Sequence, residues 1–143
     1  MYVVNRTRGT YLGVDIKVAN SFRTRLLGLY ANRRFDFGDG VWLVPCSSIH
    51  TIGLKCSIDV IFLDASRRVV RVLEKVRPGR VIWPVPKAHS TLELPAGVVR
   101  SSETQVGDDV EFVEDRESIE SGRPTAPGPK RLRNDAIIRL SDR

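Results

Sequence analysis

The six residues from Ile58 to Leu63 read IDVIFL, apolar at every position but one. A strand with one wet face alternates apolar and polar residues, so a run without alternation belongs to a strand covered on both faces. Asp64-Ala65-Ser66-Arg67 then supplies a polar turn, and Val69 to Val76 is the return strand. Two apolar runs joined by four polar residues predict an antiparallel hairpin. The stretch Val41–Asp64 also carries both cysteines and one of the two histidines, and the flanking segments are simpler strands suited to pack against it. The polar exception, Asp59, adds a second constraint. An unpaired carboxylate is costly to bury, so Arg25, Lys55 or backbone N–H groups must hold it.

The rest of the chain is punctuated in the same way. Val14 to Val18 alternates with period two and predicts a half-buried strand. Asn20 and Ser21 are helix-capping residues, and Phe22, Leu26, Leu29 and Tyr30 then fall on one helical stripe. These predict a short amphipathic helix over 21–31. Residues 35–40 read as a turn, Val41 to Val44 as a strand closed by Pro45, and Ser47 to Thr51 as a loop. Arg77 to Arg80 is a turn, and Val81 to Pro86, with two prolines, is an edge segment. Ser90 to Leu94 alternates and stops at Pro95, Val98-Val99 opens a helical turn, and Val110 to Val113 is a final strand. The expected fold is mainly β: a small antiparallel β-sandwich or barrel, with the one short helix near the N-terminus capping an end.

At 143 residues the chain has room for one domain. That domain is expected over 1–113. From Glu114 onward there is no aromatic residue, Pro124, Pro127 and Pro129 lie close together, and charge is dense, so 114–143 is expected to be a disordered tail. No apolar run approaches the ~20 residues of a membrane span, and no secretory leader is visible, which makes a cytoplasmic location the expectation. Two cysteines do not make a disulfide framework. The formal charge of +6 raises an anionic partner. Residues 1–113 hold 16 Lys or Arg against 11 Asp or Glu, spread over nearly every segment, and residues 114–143 hold 7 against 6. Without a basic stripe interleaved with aromatics, nucleic acid is not the expected partner.

Four blocks carry a resemblance. They are Arg25-Leu26-Leu27-Gly28-Leu29, Cys46 to Lys55, Ile58 to Asp64, and Leu92-Glu93-Leu94-Pro95-Ala96-Gly97. In that order and spacing, over about residues 14–113, the chain resembles family 192 of the domains of unknown function, a group of bacterial and archaeal proteins. The resemblance implies a compact, mainly β domain with one short helix, and it implies no activity. The chain departs from the family's wording at Cys56 and Ser57, so the resemblance assigns Cys56 no role.

Cys46, His50 and Cys56 have the spacing C-x3-H-x5-C, with His89 downstream as a fourth zinc-type donor. The short C-x2-C knuckle is missing, so no metal is assigned. Cys46 with His50 has the composition of a nucleophile and base, with Lys55 and Arg25 as cations to lower a thiol pKa. Thr51, Gly53 and Lys55 resemble a polar nest for an anion. The favoured reading is a non-enzymatic binding or accessory module. Its polar groove, formed by Cys46, His50, Thr51, Lys55, Asp59 and Arg25, takes a small anionic or polar ligand or a peptide, without a cofactor. The alternative is a small hydrolase-like enzyme or zinc-binding protein using His50 with Cys46 or Asp59.

Overall fold

The structure is a computed structural model that describes residues 1–19 and 36–114. Among these, the chain forms β1 (Tyr2–Asn5), β2 (Thr10–Gly13), β3 (Asp15–Ala19), β4 (Asp39–Leu43) and β5 (Ile49–His50). It continues through β6 (Ile58–Leu63), β7 (Val69–Val76), β8 (Val81–Ile82), β9 (Ser90–Pro95), α1 (Val98–Ser102) and β10 (Val110–Val113).

The apolar run 58–63 is β6, and all six of its residues are buried. It lies inside a five-stranded sheet of order β3-β4-β9-β6-β7, between β7 (Ile61↔Val72) and β9 (Ile61↔Leu92). One face presents Ile61, Leu63, Leu92 and Leu94, which join Val3, Leu12 and Val110 in a single cluster. Those last three belong to a second sheet of order β10-β1-β2, so the two sheets share one core. On the other face, Ile58, Val60 and Phe62 join Val41 and Leu43 beneath Cys46, Ile49 and Val85. The last three come from the segments around a two-stranded ribbon, β5-β8. The absence of alternation in β6 is thus explained by two separate cores, one on each side.

The mainly β expectation holds, and two of its details are corrected. The sheets do not close into a barrel. At one edge Ile16 N–H donates to Met1 O at 3.0 Å, and at the other a lone bridge joins Arg68 to Asp109, where a closed barrel needs ladders. The expectation of uniformly antiparallel pairing also fails, because β3 and β4 run parallel from Asp15↔Asp39 to Ala19↔Leu43. The long connection over 20–38 is what a parallel crossover requires. The helix expected over 21–31 falls outside the described residues. The helix among the described residues is α1, where Val98-Val99 opens the expected helical turn.

No element was expected before Val14, yet β1 and β2 form a hairpin there, turned at Gly9 with φ 67°. A buried polar network locks it to the loop after α1. Asn5 Nδ2 donates to Thr104 Oγ1 at 3.0 Å and to Asp108 Oδ2 at 2.9 Å, while Arg8 Nε donates to the same carboxylate at 3.1 Å. Burial pushes the Asp108 carboxyl up, but these bonds, the Gln105 N–H and the Arg8 charge outweigh it and hold it below the usual carboxylate range.

Candidate functional site

Asp59 is fully buried on the α1 side of β6. Its Oδ1 accepts the Lys75 N–H at 2.9 Å, and its Oδ2 accepts those of Gly97 at 3.0 Å and Val99 at 2.8 Å. Of the three holders expected, backbone donors are the ones found. Lys55 is exposed and makes no ion pair with it, and Arg25 lies outside the described residues. The carboxylate ties together three segments, satisfying N–H groups that the start of α1 leaves without helical partners.

Thr51 is also fully buried and committed to structure. Its hydroxyl donates to Arg77 O at 2.6 Å and accepts the Arg80 N–H at 2.9 Å, fixing the turn between β7 and β8. His50 is exposed and pairs across the ribbon with Val81. Cys46 is buried, and its thiol donates to Ser48 O at 3.0 Å. Its backbone is held too, by Cys46 N–H to His89 O at 2.8 Å and Thr91 Oγ1 to Cys46 O at 3.1 Å. Among the described residues no hydrogen bond joins His50 to Cys46 or Asp59, and no three of His, Cys, Asp or Glu gather into a metal-sized group. Both cysteines are free thiols.

What the fold does bring together is a shallow cleft of about 280 Å³ lined by Pro45, Cys46, Ser47, Ser48, Ala88 and His89. The bond from Cys46 to His89 forms its seam. Of the expected site residues, Cys46 lines this cleft, His50 lies two residues beyond its rim, and Thr51 and Asp59 do not line it.

A further residue on this side of the sheet escaped the sequence reasoning. Glu93 pairs directly with Val41 on β4 and Val60 on β6, and therefore shares the face of the Cys46 core. It is only 5% exposed, no donor among the described residues reaches its carboxyl, and burial pushes its pKa up to about 7. A carboxyl in that state is close to half protonated at neutral pH and donates or accepts a hydrogen bond according to its proton. The alternation Leu92-Glu93-Leu94 reads as a half-exposed strand. Only the layers on either side of the sheet, the β10-β1-β2 sheet on the face of Leu92 and Leu94 and the Cys46 core on the other, cover both faces.

The same geometry unites the sequence blocks. Asp59↔Leu94 pairing lays Ile58–Asp64 against Leu92–Gly97, and Thr91 ties β9 back to Cys46. Comparison with known proteins agrees with this arrangement: residues 3–112 match the family model described as "Uncharacterized ACR", domain of unknown function 192. The chain belongs to this family. A relative in Thermococcus sibiricus, a UPF0127 protein, is 31% identical over 98% of this chain and 90% of its own length. A UPF0127 protein of Pyrococcus horikoshii is 32% identical over 77% of this chain and 97% of its own. The crystal structure of a protein of unknown function from Novosphingobium aromaticivorans superposes with a TM-score of 0.65 at 18% identity, covering 78% of this chain and 82% of that one. At that identity the likeness is one of fold. The family match ends at residue 112, just short of the change in composition after Val113.

Proposed function

We propose that this member of the family is a non-catalytic binding module, taking a small polar or anionic ligand in the cleft between Pro45–Ser48 and Ala88–His89. The observation that carries the reading is the character of that cleft. It offers Ser47, Ser48 and His89 as polar contacts, and neither lining segment contains a carboxylate. Its volume of about 280 Å³ falls just below the usual ~300–1,000 Å³ of small-molecule sites, which fits a small ligand. Lys87 stands beside it with its charge exposed.

The hydrolase alternative draws no support from the geometry. A general base works within about 3 Å of its partner, directly or through one water. His50 instead sits on the outer ribbon face, the Cys46 thiol is bonded to Ser48 O, and Asp59 is occupied by three backbone donors. Titration calorimetry with inorganic phosphate, acetate and a blocked acidic dipeptide tests the binding reading. At least one probe should bind the parent and lose its heat in Ser48→Trp, which fills the cleft mouth. Equal binding by that variant, or no binding by any probe, overturns it.

A further inference from the structure

The ribbon beyond the cleft carries a different kind of surface. Its two strands belong to the segments 46–58 and 75–92, which pair through Ile49↔Ile82 and His50↔Val81. Together these segments hold five Lys or Arg and neither Asp nor Glu. The chain's charge of +6 looks evenly spread along the sequence, but pairing of β5 with β8 brings these two acid-free segments together.

The same segments hold three exposed large hydrophobic residues: Ile52 at 62%, Val81 at 57% and Trp83 at 79%. Their inward neighbours explain the exposure. Ile49 is buried and Ile82 half-buried in the core below, while Thr51 is buried in its turn, so the alternate positions His50 and Val81 face outward. The same two segments carry Lys55, Arg77, Arg80 and Lys87, all exposed. Among the described residues none of these four has an ion-pair partner. Exposed apolar side chains on segments whose exposed cations make no ion pair among the described residues mark an interaction surface rather than a solvated face.

We infer that the β5-β8 ribbon docks on an anionic lipid surface, with Trp83, Val81 and Ile52 entering the headgroup boundary and the cations meeting lipid phosphates. The mixture of side chains selects this occupant. Tryptophan settles at a membrane interface, and aliphatic side chains gain by leaving water for the acyl boundary. Single-stranded nucleic acid calls for successive aromatic platforms, whereas here one aromatic stands beside two aliphatics that cannot stack on bases. The net cationic charge of these two segments, which contain no Asp or Glu, complements the negative potential of an acidic bilayer. No described helix is long and apolar enough to cross a membrane, and this attachment needs none.

Vesicle flotation of the full chain tests the inference, comparing phosphatidylcholine vesicles with mixed phosphatidylglycerol–phosphatidylcholine vesicles. Binding is expected to the anionic vesicles, to weaken as salt shortens the Debye length, and to be accompanied by a blue shift of tryptophan emission. Trp83→Ser should lower the partition coefficient about tenfold and remove the shift. Lys55→Gln and Arg77→Gln should each lower it about fivefold at low salt. All three positions are exposed, so the variants keep the parent's melting temperature. Failure to bind anionic vesicles, equal binding to phosphatidylcholine alone, or unchanged binding by Trp83→Ser overturns the inference. Trp83-dependent capture of oligothymidylate or an acidic peptide without vesicle binding overturns it as well.

Discussion

Replacing Glu93 by glutamine should stabilise the protein, by an amount that grows as pH rises from about 4.5 to 7 and is then constant. The carboxyl is 5% exposed between Val41 and Val60, and burial raises its pKa from 4.5 to about 7. Between those two values the native state keeps a proton that the unfolded chain has released, so stability falls as pH rises through that window. Below pH 4.5 both states are protonated and no penalty applies. Above pH 7 both are ionised, and the full cost of burying the charge is present. At ~1.36 kcal/mol per pKa unit, that cost is about 3 kcal/mol. Glutamine keeps the shape and never ionises. Urea unfolding of both proteins at pH 4, 6 and 8 should give a difference near zero at the acid end, growing to about 3 kcal/mol in favour of Glu93→Gln at pH 8. Comparing the two proteins cancels every other titrating group. A difference that does not change with pH refutes the reasoning. A glutamate form that is the more stable at pH 8 refutes it too, and shows that a cation reaches the carboxyl.

Three other outcomes follow from the geometry. Asp59→Asn should cost about 2 kcal/mol and Asp59→Ala more, because an amide matches only some of the three N–H donors and alanine leaves all three buried without an acceptor; chemical denaturation measures both. Thr51→Val keeps the shape but strips the Arg80 N–H and Arg77 O of their partner, costing about 2 kcal/mol and speeding hydrogen exchange at the Arg80 amide. Removing residues 117–143 should leave the melting temperature nearly unchanged, since the family match ends at 112 and the composition beyond Val113 is poor in core-forming residues; a large drop in a thermal scan would show that the segment packs on the domain.

Much of the strand inventory was legible because burial on both faces leaves a mark that needs no partner to read. IDVIFL and the run 69–76 were bounded as β6 and β7, and Val110 to Val113 as β10, from periodicity and turn residues alone. Relations between distant segments were not legible. Nothing in Asp15-Ile16-Lys17 says that β3 runs parallel to β4, and β1 was missed because four residues carry too little periodicity. The same gap explains the site. Asp59 betrayed its burial by its neighbours but not its partners, which arrive from Lys75, Gly97 and Val99. Thr51 looked like a ligand group because its bonds to Arg77 and Arg80 lie more than twenty residues away. Glu93 looked solvated because alternation cannot show that the segments around Cys46, Ile49 and Val85 cover the face it marks as polar. The basic ribbon looked diluted because the segments that form it are separated by β6 and β7.

The central claim, that the cleft at Pro45–Ser48 and Ala88–His89 is a ligand site, is tested most directly by amide NMR spectra recorded during titration with inorganic phosphate, acetate and a blocked acidic dipeptide. Saturable shifts should be confined to Cys46, Ser47, Ser48, Ala88 and His89 and their chain neighbours, and should vanish in Ser48→Trp. A spectrum that does not move with any probe, or one that moves only at residues remote from that cleft, would contradict it.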